Sequence, residues 1–464
     1  MSAWSEDLLN REGRELRKGD VSLWHRILQG VAAFSIDMVV SNLAAVLSAV
    51  LVFRYLSVSA YGQLTLALSF YASATVFLDF GLGSMFTAEI ARARGSGNLG
   101  WARFLLTGYL WLNVVTGCIV LGVFLVIGYR WHDPLWGVMG SYLLTTALNW
   151  VVTTLFHSYT HYRHLAAQSI VRSLSRLLLL TTLPLWWRGE TLLGVAWTYP
   201  LMDVAGLVVS AWLSCKTLRD LRHVQTDEYS LASLAALFRH QGVYASLSIP
   251  IERIADQLPV WFLKVLVGDV GVGIYGAAQK GFLLIYGFFR TLEMTIFPLV
   301  SERIEVDKER LQIALRQMQK YTFWLGLVTA IVGGMGARWL ILIVAGEEYL
   351  AAVPTFRLML WQLVIYAFWQ AQRPLFYALG QQKWLFFLHL FNTVIYALAL
   401  FCVISATGII GAVWATLIYA ILSAITRMMV LQKLGSRAID PRSVFRLEGF
   451  DRRLWEILRT WVLR

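Results

Sequence analysis

The chain is a succession of apolar runs, each about as long as a bilayer is thick, and that periodicity leaves few folds open to it. Twelve such segments run over about 28–53, 61–90, 103–128, 134–157, 165–187, 192–214, 242–267, 273–300, 320–345, 353–378, 384–405 and 410–431. As a helix, each reaches across roughly 30 Å of hydrocarbon. Only 15% of the residues are charged, against roughly 25% in a soluble domain. A backbone in lipid must satisfy its own hydrogen bonds, so runs of this kind form helices. The expected fold is an all-α polytopic membrane protein with about twelve transmembrane helices. The first 25 residues are charged and polar and lack the apolar core of a cleavable signal peptide.

Net charge is +12. In a soluble protein that balance suggests nucleic acid, but here the basic residues sort by loop. With the N-terminus inside, the inner segments hold Arg11, Arg14, Arg17, Lys18, Arg92, Arg94, Arg163, Lys216, Arg219, Arg303, Lys308, Arg373 and Lys383, and the tail adds Arg427, Lys433 and Arg437. The outer side holds Arg54, Arg130, Arg188, Lys264, Arg338 and Arg357. The bias puts both termini in the cytoplasm and removes any need for a nucleic-acid partner. The outer loops are all short, so none has room for a catalytic domain, and the chain does not read as an enzyme. Cys118, Cys215 and Cys402 are scattered, with neither a disulfide framework nor metal spacing.

The domain organisation follows. Residues 1–27 form a cytoplasmic N-terminal segment, 28–214 an N-lobe of six spans and 215–241 a cytoplasmic linker. Residues 242–431 form a C-lobe of six more spans, and 432–464 a basic tail. In the tail, Phe450, Leu454, Ile457, Leu458 and Trp461 fall near one helical face, with Arg452, Arg453 and Arg459 elsewhere. This suits a helix on the anionic lipids of the inner leaflet; a solvated tail docked on the protein is the simpler alternative.

The even division invites a test for an internal repeat. Sliding the first half by 214 positions lays Tyr61-Gly62 on Tyr275-Gly276, Asp79 on Glu293 and Asn42 on Asp256. Six spans is an even number, so the repeat is parallel, about an axis along the membrane normal. Asp79 is the one ionisable side chain, tyrosines aside, between Arg54 and Glu89. With a counterpart in the other lobe, it is expected to face a central, water-accessible cavity.

Residues 56–92, LSVSAYGQLTLALSFYASATVFLDFGLGSMFTAEIAR, resemble the second span of the polysaccharide transport family: a Leu, a polar turn, Tyr-Gly, an apolar run and a terminal Asp-x-Gly-Leu. Residues 275–304, YGAAQKGFLLIYGFFRTLEMTIFPLVSERI, resemble its eighth span, with a basic residue soon after Tyr-Gly-x-Ala and Pro298 near the cytoplasmic end. The family belongs to the multidrug/oligosaccharidyl-lipid/polysaccharide flippase superfamily. The resemblance implies a bacterial inner-membrane flippase that moves a polyprenyl-diphosphate-linked oligosaccharide by alternating access, for O-antigen, capsule or exopolysaccharide. It also implies company with other glycan-assembly membrane proteins.

Ionisable residues inside a bilayer are functional candidates by default. A diphosphate headgroup calls for arginine, whose planar fork holds two oxygens at once. Arg172, Arg176, Arg253, Lys280 and Arg290 are therefore the candidate diphosphate or sugar contacts. Asp37, Asp79, Asp203, Asp256 and Glu293 are the candidate cavity acids, with Asp37 or Asp79 as carriers of a coupling proton; the resemblance permits H+ or Na+. A plainer reading stands beside this one. Arg253 with Asp256, and Arg290 with Glu293, are three apart on one helix face and able to neutralise each other. Arg172 and Arg176 have no acid within their own span, and Arg172 lies near enough to the cytoplasmic edge to snorkel.

Other motifs carry less. His157, His161 and His164 share a helical face, but no carboxylate or Cys adjoins them, so interfacial polarity is preferred to metal binding. Gly271-Val-Gly-Ile-Tyr-Gly276 mimics a dinucleotide loop but follows a span, not a strand. There is no Walker A motif, no cofactor site and no metal site. The competing functions are a multidrug or cation antiporter of the same superfamily, which would favour aromatics and acids over arginines, and a non-transport membrane protein of glycan assembly.

Overall fold

The computed structural model describes residues 36–79, 82–222, 243–303, 308–370, 372–434 and 445. Among these, every regular element is a helix. The helices are α1 (Ile36–Tyr55), α2 (Val58–Ala74), α3 (Val76–Asp79), α4 (Gly83–Gly95), α5 (Leu99–Trp131), α6 (Leu135–Ser158), α7 (Tyr162–Thr181), α8 (Leu183–Trp186) and α9 (Thr191–Arg222). Then come α10 (Val243–Leu266), α11 (Asp269–Arg303), α12 (Lys308–Val344), a 3-10 turn (Glu347–Ala352), α13 (Val353–Leu360), α14 (Gln362–Trp369), α15 (Gln372–Ala378), α16 (Gln382–Thr407) and α17 (Ile409–Lys433).

The all-α polytopic reading holds. Eight of the described helical stretches are long and apolar enough to cross a bilayer. The spans that fall short are the second, fifth, seventh and eighth of the sequence reading. The second is broken into α2, α3 and α4. The others carry charges singled out above: Arg172 and Arg176 on α7, Arg253 and Asp256 on α10, and Lys280 on α11; α10 also carries Glu252. The tenth span, read as one segment over 353–378, is three short helices. Helix α9 continues to Arg222, past the point where the sequence reading began its linker.

The helices group into two compact units. Among the described residues, one holds α1 to Leu56 and Phe70 through α9; the other holds Ser57–Ser69 and α10 to α17. The unit boundary thus falls inside α2. In the first unit, α6 is the central helix, with 61% of its apolar window buried, against 17% for α5. The outer face of α5 presents Trp111, Val115, Ile119 and Val126, the composition expected of a surface solvated by lipid. Phe86, Leu105, Tyr109, Val151, Leu155 and Leu221 form a buried cluster where α4, α5, α6 and α9 meet. A second cluster, Leu315, Leu375, Phe376, Leu385 and Leu431, holds the second unit.

Within the second unit, α2 crosses the start of α11 at van der Waals contact. A Cβ on Gly62 would lie 2.0 Å from the Asp269 carbonyl oxygen, and one on Gly273 would lie 2.0 Å from that of Val58. A Cβ on Gly276 would meet Thr65 and Tyr61. Small residues let helix backbones approach this closely. The Gly271–Gly276 run is therefore a packing motif, and Gly62 and Gly276, paired by the 214-residue shift, sit at the same crossing.

Candidate functional site

Three helices of the first unit each carry polar residues three or four apart, joined on α9 by Gly206, the spacing that keeps them on one face. On α6 these are Tyr142, Thr146, Asn149 and Thr153; on α7, Gln168, Arg172 and Arg176; on α9, Tyr199, Asp203 and Gly206. The three stripes converge. Arg172 Nε donates to Asp203 Oδ1 at 2.8 Å, and Arg172 Nη2 lies 2.5 Å from the same oxygen. Thr146 Oγ1 donates to Asp203 Oδ2 at 2.7 Å and shares a 2.9 Å hydrogen bond with Tyr71 OH. Asn149 Nδ2 donates to the Asp203 backbone carbonyl at 3.1 Å and its Oδ1 accepts from Gln168 Nε2 at 2.9 Å. Tyr71 and Tyr142 stack with centroids 3.9 Å apart. One turn along α7, the Arg176 guanidinium lies 4.0 Å from the Tyr199 ring centroid, within cation–π range.

Burial makes this arrangement consequential. The Asp203 side chain has no exposed surface, whereas 32% of the Arg172 side chain is exposed. A carboxylate removed from solvent is costly unless it is paired and hydrogen-bonded, and Asp203 is both. Gly206 shapes the seat, since a Cβ there would lie 2.5 Å from Arg172 Cγ.

The second unit packs its α16–α17 hairpin in the register of α7–α9. Asn392 Nδ2 donates to Ser423 Oγ at 3.3 Å and to Thr426 Oγ1 at 3.0 Å, and Tyr396 stacks on Tyr419 at 4.4 Å. Adding 220 to 172, 203, 176 and 199 gives 392, 423, 396 and 419, so two side-chain contacts of one hairpin map onto two of the other, and Gly206, where a Cβ would meet Arg172, maps onto Thr426, which accepts from Asn392. One difference is chemical: the first unit uses an ion pair where the second uses Asn with Ser.

The remaining candidates lie elsewhere. Asp37 accepts from Ser41 Oγ at 2.7 Å, and Ser41 meets Ser169 of α7 at 3.3 Å. Asp79 is buried at the break between α3 and α4, where it accepts the Gly83 backbone N–H at 3.0 Å and the Tyr109 hydroxyl at 3.2 Å. It closes the start of α4 as a capping carboxylate does. Arg253 and Asp256 are exposed on α10, and Lys280 is half-buried on α11. Arg290 and Glu293 lie on α11 with side chains outside the described residues.

The structure also brings together residues that the sequence reading assigned to cytoplasmic loops and tail. Arg373 pairs with Glu252 at 3.2 Å. Arg427 is buried inside α17, with Nη2 2.8 Å from His389 Nε2 and its guanidinium 5.9 Å from the Trp369 ring centroid. A signal was present: Ser423, Thr426 and Arg427 share a helix face, as do His389, Asn392 and Tyr396.

At the α6–α7 turn, the His161 and His164 rings lie 4.9 Å apart. Burial holds the His161 imidazole below its ordinary 6.5, and His164 and Arg94 push it in the same direction. Among the described residues, no group of three or more His, Cys, Asp or Glu is placed to hold a metal ion.

Residues 27–304, more than half of the chain, match the family profile described as polysaccharide biosynthesis protein. The chain belongs to that family. The matched stretch contains the Arg172–Asp203 site and Glu252 but ends before Arg373, His389 and Arg427. No curated protein matches the chain. Among solved structures, an inward-facing multidrug resistance MATE family transporter of the MOP superfamily is similar at 16% identity and TM-score 0.68, covering 88% of this chain and 99% of its own. The lipid II flippase MurJ, inward closed, is similar at 12% identity and TM-score 0.67, covering 89% and 88%. A MOP superfamily transporter from Pyrococcus furiosus, whose binding pocket is described as reversed in polarity, is similar at 17% identity and TM-score 0.62, covering 89% and 96%. At these identities the likeness is one of fold: this member of the polysaccharide biosynthesis family is a multi-pass membrane protein with the fold of MOP transporters.

Proposed function

We propose that this protein is a flippase for a lipid-linked oligosaccharide. It carries a polyprenyl-diphosphate-linked sugar unit across the bacterial inner membrane by alternating access, with both termini in the cytoplasm. The observation that carries this reading is the Arg172–Asp203 pair. At the two equivalent positions the second unit places neutral Asn392 and Ser423, so a charge pair at that register is not required for packing. A guanidinium one third exposed at the convergence of three polar helix faces has the bidentate donor geometry that a diphosphate needs. Arg176, one turn away, adds a second cation. Asp203 is the acid best placed to couple transport to an ion, because its Oδ1 accepts from the same guanidinium. Family membership supports the biosynthetic role, and the likeness to MurJ supports a fold able to carry a lipid-linked substrate.

The test is deletion of the gene in its host, with the diphosphate-linked intermediate located by a membrane-impermeant lectin. The expected result is accumulation on the cytoplasmic face and loss of surface polysaccharide. Intact surface polysaccharide, with toxic cations retained in the cell, would instead select the multidrug antiporter reading.

A further inference from the structure

Asp203 occupies the donors that a phosphate would use. Its Oδ1 takes both Nε and Nη2 of Arg172, which is the edge of the guanidinium that binds oxyanions two bonds at a time. Arginine has five N–H donors, so Asp203 leaves others over. The exposures are unequal: Arg172 is one third exposed and Asp203 fully buried. An incoming anion therefore meets the guanidinium and not the carboxylate. The charged and titratable groups facing Asp203 are Arg172 from α7, Tyr142 from α6 and Tyr71 from α2, with Arg176 one turn away on Tyr199. The phenols stay protonated at neutral pH, so Asp203 is the group among them able to change charge.

We propose that Asp203 is an internal placeholder for the substrate's diphosphate. Phosphate oxygens displace Asp203 Oδ1 from Arg172, and the released carboxylate takes one proton from water to become a neutral acid. The bonds exchanged are two N–H···O contacts from carboxylate to phosphate, and the proton enters as the carboxylate loses its cation. A buried carboxylate without its cation is too costly to remain ionised, so diphosphate binding and protonation are one event. Thr146 Oγ1, 2.7 Å from Oδ2, and Tyr71 beyond it provide polar partners for the neutral acid. This inference rests on the flippase reading and adds to it the ion, the acid and the order of exchange.

The test uses the full chain in nanodiscs, with geranylgeranyl diphosphate and inorganic diphosphate as probes. Proton uptake is read with a pH dye in weak buffer, and affinity is measured from pH 6 to 9. Asp203→Asn, run with the same probes, subtracts their own titration. The wild type is expected to take up one more proton per bound diphosphate than Asp203→Asn. Its affinity should weaken by up to about tenfold per pH unit relative to that variant. The Arg172→Asn/Asp203→Ser double variant copies the neutral pair of the second unit; it is expected to fold with little change in Tm and to lose diphosphate binding. Equal uptake by wild type and Asp203→Asn would overturn the placeholder while leaving the flippase reading in place; full binding by the double variant would overturn the placeholder and also remove Arg172 from the substrate site. Failure of wild type to bind either probe would overturn both. Binding of both probes would assign recognition to the diphosphate alone; binding of the prenyl probe only would make the lipid part of it.

Discussion

Arg172 bonds Asp203, and 220 residues later Asn392 bonds Ser423 in the same hairpin register. The two pairs occupy the same register with different electrostatics, so the neutral pair is the natural replacement for the charged one. Removing one partner of a buried ion pair costs about 3–5 kcal/mol, while a matched neutral pair avoids most of that penalty. Arg172→Asn alone should therefore lower stability more than Arg172→Asn/Asp203→Ser. Thermal unfolding of the single and double variants in detergent checks this; additive losses would contradict it.

Gly206 should tolerate no side chain if Arg172 is to keep its position. A Cβ there lies 2.5 Å from Arg172 Cγ. Helix propensity gains about 1 kcal/mol from Gly→Ala, so Gly206→Ala should leave Tm within a few degrees while reducing transport. Wild-type flipping by this variant would show that Arg172 need not sit where it does.

The α2–α11 crossing should be far less forgiving. At Gly62 and Gly273 the obstructing atoms are backbone carbonyls at 2.0 Å, which cannot swing aside. Overpacking of this kind costs typically about 1–3 kcal/mol and occasionally more. Gly62→Ala and Gly273→Ala should each lower Tm sharply, whereas Gly122→Ala, with nothing within 4 Å, should not. Matched melting curves of the three variants decide it.

Asp79 is expected to act through its acceptors. Asp79→Ala leaves the buried Tyr109 hydroxyl and the Gly83 N–H without their acceptor, at about 1–3 kcal/mol. Asp79→Asn keeps an acceptor oxygen and should retain both fold and transport. Loss of transport by a well-folded Asp79→Asn would move the coupling acid from Asp203 to Asp79.

His161 gives a pH signature outside the bilayer. Its imidazole is held below 6.5 in the fold, so the unfolded chain binds the proton more readily. The contribution to stability is present above about pH 6.5 and is lost as pH falls through the folded value. Tm should decline on acidification, and His161→Gln should flatten that decline; an unchanged profile would remove His161 from the account.

The all-helical, membrane-spanning plan was legible in the sequence, because hydrophobic period is a property of the chain itself. The partner of Arg172 was not. Helix-face arithmetic pairs residues three or four apart, and the acid lies 31 residues away on α9; antiparallel register, set by the connection, decides which turn faces which. Arg427 was missed for a related reason. It lies in the last two turns of α17, where a charge reads as the start of a cytoplasmic tail, and only the packing of His389 and Trp369 against it places it inside. Asp79 was visible as an anomaly, but its role as the acceptor at a helix break depends on the short separation of α3 from α4, which an apolar run does not reveal.

The most direct test is reconstitution. Liposomes containing a polyprenyl-diphosphate-linked oligosaccharide on both leaflets are treated with an impermeant lectin, with wild type or the Arg172→Asn/Asp203→Ser variant in the membrane. Wild type is expected to draw the inner-leaflet pool to the lectin, and the folded double variant to leave it protected. No transfer by wild type, or equal transfer by both, would contradict this.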